Sequence, residues 1–155
     1  MSDRVYLISS DQVKRTAAQE VMSLDPLSKH PFKVTIAEGK ETRRLKQNRL
    51  SFLWYREIGK QSGNGEIYER NYCKLTFGVP LLRKDTKMEK FIIEVIDPLP
   101  YESQLGAMEY LNVTSLLSVK DFAEYLGDID RTAAEQGFIL THPEDLYYAA
   151  LLKDH

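Results

Sequence analysis

The stretch that most constrains the fold of this chain is a helix predicted from Arg43 to about Lys60. At 100° per residue its side chains separate into distinct faces. One face has the i, i+4, i+8 spacing of a helix that enters a core, and it consists of Leu50, Trp54 and Ile58. Another face, an arc of roughly 80°, is cationic and consists of Lys46, Arg49, Arg56 and Lys60. The helix is therefore expected to pack on one side and to present positive charge on another.

A second apolar patch on this helix is formed by Leu45 and Phe52, one heptad apart. It predicts a helix held between two packing partners. The cationic face suits a polyanion better than a small substrate, although an ordinary solvated face remains the alternative. A third possibility is a protein-binding adaptor that uses the patch of Leu45 and Phe52 and does not bind DNA.

The composition is that of one globular domain spanning residues 1–155, with 43% hydrophobic residues and 28% charged residues. No apolar run approaches the eighteen or so residues of a transmembrane helix, so no membrane association is expected. The single cysteine, Cys73, fits a reducing cytoplasm and is expected to be a small buried hydrophobe.

The net charge of −2 conceals an asymmetry along the chain. Residues 1–93 carry 18 Lys and Arg against 11 Asp and Glu, whereas residues 94–155 carry 3 against 12. The two parts can present opposite potentials. The acidic part would then limit DNA contact to one surface, or pair with the basic part of a second subunit.

The fold class expected from the pattern is α+β, a small sheet with several helices. Strands are predicted at Val5–Ile8, which is continuously apolar, and at Phe32–Ile36, where apolar and polar residues alternate. A helix capped near Ser10 and ending near Asp25-Pro26 lies between them.

Further helices are expected after the basic one. Thr42 is its predicted cap residue, and Ser62–Gly65 is predicted to be a turn. The next helix, Ile67–Phe77, is ended by Gly78-Val79-Pro80. Lys84–Ile96 is a helix or, because it is rich in β-branched residues, a strand. A short helix over Tyr101–Leu111 and a helix capped by Ser118 follow, and a final helix begins at Thr141 with capping-box spacing to Glu144.

The sequence contains no recognisable catalytic constellation. The three histidines are scattered, which argues against a zinc site. A metal-dependent, structure-selective nuclease is the enzymatic alternative, and it would need convergence of the carboxylates Asp85, Glu89, Glu94, Asp97 and Glu102. We predict no catalytic residues, no metal and no cofactor.

Binding of single-stranded nucleic acid needs only a positive track and aromatic platforms. The basic part of the chain offers both, because Tyr55, Tyr68 and Tyr72 accompany Arg70 and Lys74. Each stacked base contributes roughly 1–3 kcal/mol whatever its sequence. Core or rim packing is the competing role for these tyrosines.

Several segments resemble the NinB (Orf) recombination proteins of lambdoid phages. In that family a V-T-I strand precedes an R-S-L-D-Q-N-R segment, and here Val34-Thr35-Ile36 precedes Arg44–Arg49. The similarity continues through Tyr68–Phe77, Asp121–Leu126 and Glu135–Gly137, whereas Pro80–Leu117 matches poorly. The family's Ser and Asp are Arg44 and Lys46 in this chain, which makes the start of the helix more basic.

The resemblance implies a homodimer in the cytoplasm of the bacterial host. It also implies binding to single-stranded or gapped DNA, contact with the host single-strand binding protein, and a mediator role in phage recombination without catalysis. The DNA contact that the family's C-terminal helix provides is not expected here, because Leu146–His155 contains only one Lys or Arg, Lys153.

The DNA-binding residues predicted from the pattern and the resemblance together are Arg43, Arg44, Lys46, Gln47, Asn48, Arg49, Arg56 and Lys60. Helical geometry also turns Gln47 toward Trp54 and Ile58, so a buried structural amide is the alternative for that residue.

Overall fold

The computed structural model describes residues 4–37, 42–144 and 147. The chain divides at residue 40 into two compact units. The described residues contain helices and no β-strand, so the predicted α+β class is wrong.

In the first unit, the one helix among the described residues is α1, Asp11–Met22, and Ser10 caps it by accepting a hydrogen bond from the amide of Val13 at 3.3 Å. The amphipathic helix predicted here is confirmed, but none of its residues is buried. Glu20 accepts hydrogen bonds from Arg4 at 2.6 Å and from the Tyr6 hydroxyl.

The two predicted strands, Val5–Ile8 and Phe32–Ile36, also lie in this unit. Both segments lack regular secondary structure, and Val5 and Ile36 are 84% and 96% exposed. The physical reason is that β-branched residues favour extended backbone, yet a strand exists only where a second segment completes its hydrogen-bond ladder. Within the described residues neither segment has such a partner.

The second unit is built from helices packed around one core. In chain order its elements are α2 (Arg43–Ser62), α3 (Glu66–Cys73), a first π turn (Lys74–Gly78), α4 (Val79–Leu82), α5 (Thr86–Phe91), a second π turn (Ile92–Ile96), α6 (Tyr101–Ala107), α7 (Val113–Leu116) and α8 (Val119–Glu135). The caps predicted at Thr42 and Ser118 are confirmed, since they accept from Leu45 and Asp121 amides.

The core joins α2 to α8. Leu50, Trp54 and Ile58 are buried as the sequence pattern predicted. They belong to the same cluster as the buried face of α8, namely Phe122, Tyr125, Leu126, Ile129 and Ala133. The hydroxyls of Tyr55 and Tyr125 meet at 2.6 Å inside this core. α2 is thereby fixed in rotation about its own axis.

α2 and α3 approach closely where the turn Ser62–Gly65 connects them. A Cβ added at Gly59 would lie 2.5 Å from the backbone carbon of Gly65, so no larger residue fits without a backbone shift. Gly63 ends α2 with φ of 81°, a left-handed conformation that favours glycine. The predicted turn is confirmed.

The helix that starts at Glu66 does not stop at Gly78-Val79-Pro80, which corrects the predicted end. The helix continues through the first π turn, in which the Val79 amide donates to the Lys74 carbonyl five residues earlier. Because Pro80 then falls in the first turn of α4, the amide hydrogen it lacks is not needed there. Of the segment Lys84–Ile96, the residues from Thr86 onward are likewise helical, as α5 followed by the second π turn.

The segment after α8 returns to α2. The Gln61 amide nitrogen donates to the Ile139 carbonyl at 2.7 Å, and the Trp54 indole donates to the Thr141 carbonyl at 2.7 Å. The sequence pattern also predicts a short extended link over Phe138–Leu140, and these residues have no regular secondary structure. Of the predicted final helix, Glu144 and Tyr147 are helical, and the other residues beyond 144 lie outside the described residues.

Candidate nucleic-acid interface

The candidate site is the cationic face of α2, which we call the basic ridge and define as Lys46, Arg49, Arg56 and Lys60. Arg49, Arg56 and Lys60 are exposed, and Lys46 is half-buried. The ridge faces outward because the stripe of Leu50, Trp54 and Ile58, centred about 125° away around the helix, is anchored in the core. At 1.5 Å per residue, Arg49 and Lys60 are roughly 16 Å apart along the helix axis.

The acidic part of the chain does not neutralise Arg56 and Lys60, two cations of the ridge, within the described residues. Arg56 and Lys60 form no ion pair there, whereas acids from the second half of the chain pair with other cations. These other pairs are Arg83 with Asp97, Lys84 with Asp121 and Glu124, and Arg131 with Asp128. Two cations of the ridge therefore present uncompensated charge to solvent.

Three other predicted DNA contacts point inward at the start of α2. Arg44 donates to the Leu117 carbonyl at 2.7 Å and to the Thr114 carbonyl at 3.4 Å, and so binds the C-terminal end of α7. Gln47 is fully buried and donates to the Val119 carbonyl at 2.9 Å, which confirms the buried-amide alternative. Arg43 is half-buried. Within the tripeptide Gln47-Asn48-Arg49, Gln47 is therefore a structural residue that does not lie on the surface.

Asn48 is exposed and lines a pocket of about 260 Å³ in the second unit. Phe52, from the next turn of α2, also lines it, and Arg70, Lys74 and Glu109 contribute from other elements. Sequence reasoning placed Arg70 and Lys74 on an open track and missed that α7 and the segment joining α6 to α7 close over them. No motif in the poorly matching stretch from Pro80 to Leu117 indicated this.

The patch of Leu45 and Phe52 does not contact a second packing layer. Leu45 is 41% exposed and Phe52 is 36% exposed, so this patch does not form the second packing face that was predicted for it. The two packing partners of α2 are α3 and α8. Phe52 instead touches Tyr55 edge-on, and the Arg70 guanidinium lies 6.0 Å from its ring centroid.

The three tyrosines proposed as base platforms differ in placement. Tyr55 is buried against Tyr125, and burial raises its pKa, so it offers no face to a ligand. Tyr68 is exposed, and Tyr72 is half-buried with its ring edge-on to Phe77. Tyr101, which the sequence reasoning missed, is also exposed. Desolvation raises the pKa of Tyr101, and the nearby Tyr68 and Tyr72 raise it further.

Two of the carboxylates considered for a metal site have other roles. Asp85 caps α5 by accepting from the amides of Lys87 and Met88, and the hydrogen bond from Arg83 lowers the pKa of Asp97. Among the described residues, no group of three or more His, Cys, Asp or Glu is positioned to hold a metal ion. Cys73 is buried as predicted, and burial raises the pKa of its thiol, which disfavours the thiolate.

No helix in the described ranges is both long and apolar enough to cross a bilayer. Comparisons of the chain with protein-family models, with curated proteins and with solved structures gave no match. The resemblance to the NinB family therefore stays a prediction.

Proposed function

We propose that this protein binds single-stranded or gapped DNA along the basic ridge and that it acts without catalysing a reaction. One observation carries the proposal: Arg56 and Lys60 are exposed on the same face of α2, with no ion-pair partner in the described part of the chain. Arg49 lies on that face between Lys46 and Arg56 in sequence. A helix anchored in the core through a different face offers these cations at fixed spacing to a negatively charged strand.

The physical basis of binding is release of the cations condensed on the phosphates. If about four phosphates are contacted, the logarithm of the affinity falls against the logarithm of the salt concentration with a slope near −3 for a single strand. Exposed aromatic residues such as Tyr68 and Tyr101 are available for stacking with unpaired bases. Preference for unpaired DNA is the part of the proposal that depends on them.

The biological role within the proposal rests on the family resemblance alone. It comprises homodimerisation, contact with the host single-strand binding protein and help in loading a recombinase during phage recombination. Such a role belongs to the cytoplasm of the bacterial host.

The deciding experiment is a fluorescence-anisotropy titration at several salt concentrations, with the double variant Arg49→Ala, Arg56→Ala. Loss of two phosphate contacts should flatten the salt slope by about 1.4 for single strands and weaken binding by at least tenfold. The matched control is Lys120→Ala, Arg131→Ala, which removes two exposed cations from α8 and should leave the slope unchanged.

Binding should be compared on single-stranded, duplex and gapped DNA, each with and without Mg²⁺. Unchanged affinity and slope in the ridge variant, with its fold intact by circular dichroism, would exclude the basic ridge as the site. Mg²⁺-dependent cleavage by pure protein would instead favour the nuclease alternative.

A further inference from the structure

The pocket beside Asn48 contains two cations from the continuous helix that starts with α3. Arg70 comes from α3 and Lys74 from the first π turn, four residues later. The opposite side is formed by the segment joining α6 to α7 and by α7, which contribute Glu109 and Ser115. All of these residues belong to the second unit.

Lys74 is a buried charge with spare hydrogen-bond donors. It is 6% exposed, and its Nζ donates to the Met108 carbonyl at 2.5 Å. An ammonium group has three donors, so one such bond leaves two available. Burial lowers the pKa of Lys74, and Arg70 lowers it further, while Glu109 acts in the opposite direction. The charged form of Lys74 is thus disfavoured by its surroundings and would be favoured by an added anion.

Arg70 supplies the second unsatisfied cation. Its Nε is buried without a hydrogen-bond partner in the described residues. The guanidinium lies over the ring of Phe52, 6.0 Å from the centroid, which restrains its plane. Within the described residues neither Arg70 nor Lys74 forms an ion pair with Glu109 or with any other acid. Two neighbouring cations inside one pocket repel each other unless an anion lies between them.

We propose that this pocket binds a phosphomonoester, the terminal phosphate of a DNA strand whose internal phosphates lie on the basic ridge. A phosphomonoester carries about −1.5 to −2 charges at pH 7, whereas an internal diester carries one, so the pair of cations selects a strand end. The planar fork of Arg70 suits bidentate binding of phosphate, and Lys74 adds a point charge. Ser115 also lines the wall, but its hydroxyl donates to the Asn112 carbonyl at 2.9 Å, so the two cations carry the recognition.

The size of the pocket agrees with this ligand. About 260 Å³ is the volume of roughly eight or nine water molecules at 30 Å³ each, enough for a phosphate with part of its sugar. Asn48 and Phe52 line the pocket from α2, the same helix that carries the ridge. The pocket itself is argued from its own residues, and the choice of a strand end as its ligand rests on the proposed function.

The test compares single strands of one sequence that differ only at their ends: 5′-phosphate, 3′-phosphate, hydroxyl at both ends, and a closed circle. A phosphate at one end is expected to raise the affinity about tenfold over the hydroxyl strand. Arg70→Gln should abolish that difference while preserving binding to the circle. Arg131→Gln, which removes an exposed arginine from α8, should retain the full difference.

Failure of the pocket and failure of the proposed function give different results. Equal affinity for all ends, with the circle still bound, overturns the pocket proposal and leaves the ridge intact. If no strand binds, calorimetric titration with deoxyadenosine monophosphate and with inorganic phosphate decides. If the nucleotide binds and Arg70→Gln abolishes that binding, the pocket is a phosphomonoester site but its ligand is not a strand end. If neither the nucleotide nor inorganic phosphate binds, the proposed site is overturned.

Discussion

The two units of this chain use the same helix signals with opposite results. α1 and α8 both begin after a capping serine and both have an amphipathic pattern. α8 buries five residues, including Phe122 and Leu126, whereas α1 buries none. A cap and a 3.6-residue period therefore specify a helix, while burial depends on the apolar surface that other elements bring to it.

Side-chain volume in the two helices gives the largest expected contrast. Phe122→Ala in α8 should lower the free energy of unfolding by about 3–5 kcal/mol because it leaves a cavity in the core. Val13→Ala in α1 should change it by less than about 0.5 kcal/mol. Urea titration followed by Trp54 fluorescence and by circular dichroism measures both free-energy changes. Equal losses would contradict the stated difference in burial between α8 and α1.

The tyrosine hydroxyls provide a pH-dependent contrast of intermediate size. Burial raises the pKa values of Tyr55 and Tyr125 above 10.0, so the folded state keeps protons that the unfolded state releases. The contribution of these hydroxyls to the free energy of unfolding is present below about pH 10 and is lost as the pH rises toward the folded pKa values. Replacing either residue with Phe should cost about 1–3 kcal/mol at pH 7, since the remaining hydroxyl loses its partner.

The double variant Tyr55→Phe, Tyr125→Phe should cost less than the sum of the single changes and should flatten the decline in stability above pH 10. Tyr6, in the first unit, also has a raised pKa, caused by its hydrogen bond to Glu20, but it is exposed to solvent. Tyr6→Phe should leave the alkaline unfolding profile of Trp54 unchanged. Urea titrations at pH 8, 10 and 11 test this, and a full alkaline decline in the double variant would contradict it.

The caps give the smallest contrast. Ser118→Ala removes the hydrogen bond to the Asp121 amide, 3.0 Å long, and should cost about 1 kcal/mol of global stability. Ser10→Ala removes the corresponding bond in α1 and should reduce helical circular dichroism without moving the Trp54 transition. A shift of that transition by Ser10→Ala as large as that by Ser118→Ala would show that α1 contributes to the core after all.

What the sequence could predict was set by local geometry. The faces of α2 follow from residue spacing alone, so the burial of Trp54 and the exposure of Arg56 were both foreseeable. The serine and threonine caps follow from one hydrogen bond each. Gly137, with φ of 81°, lies just after the end of α8 as its position in the sequence indicated.

What the sequence could not predict depends on distant partners. The run Val5–Ile8 has the composition of a strand, but pairing requires a second segment that the pattern does not identify. The pocket around Lys74 requires the close approach of α7, and a Cβ at Gly78 would lie 2.5 Å from Val113 Cγ1. A contact between residues 35 positions apart produces no periodic pattern in the sequence.

The first π turn gives the helix from Glu66 to Leu82 one residue more than ordinary winding needs. Its five-residue bond from Val79 to Lys74 holds one residue more than the usual turn. Loss of a single codon there, for example that of the exposed Thr76, would restore the ordinary four-residue bond and keep Lys74 in register with α4, whereas the same loss within α2 would turn every later side chain by about 100°. A gap of one residue should therefore be tolerated better in this segment than in α2.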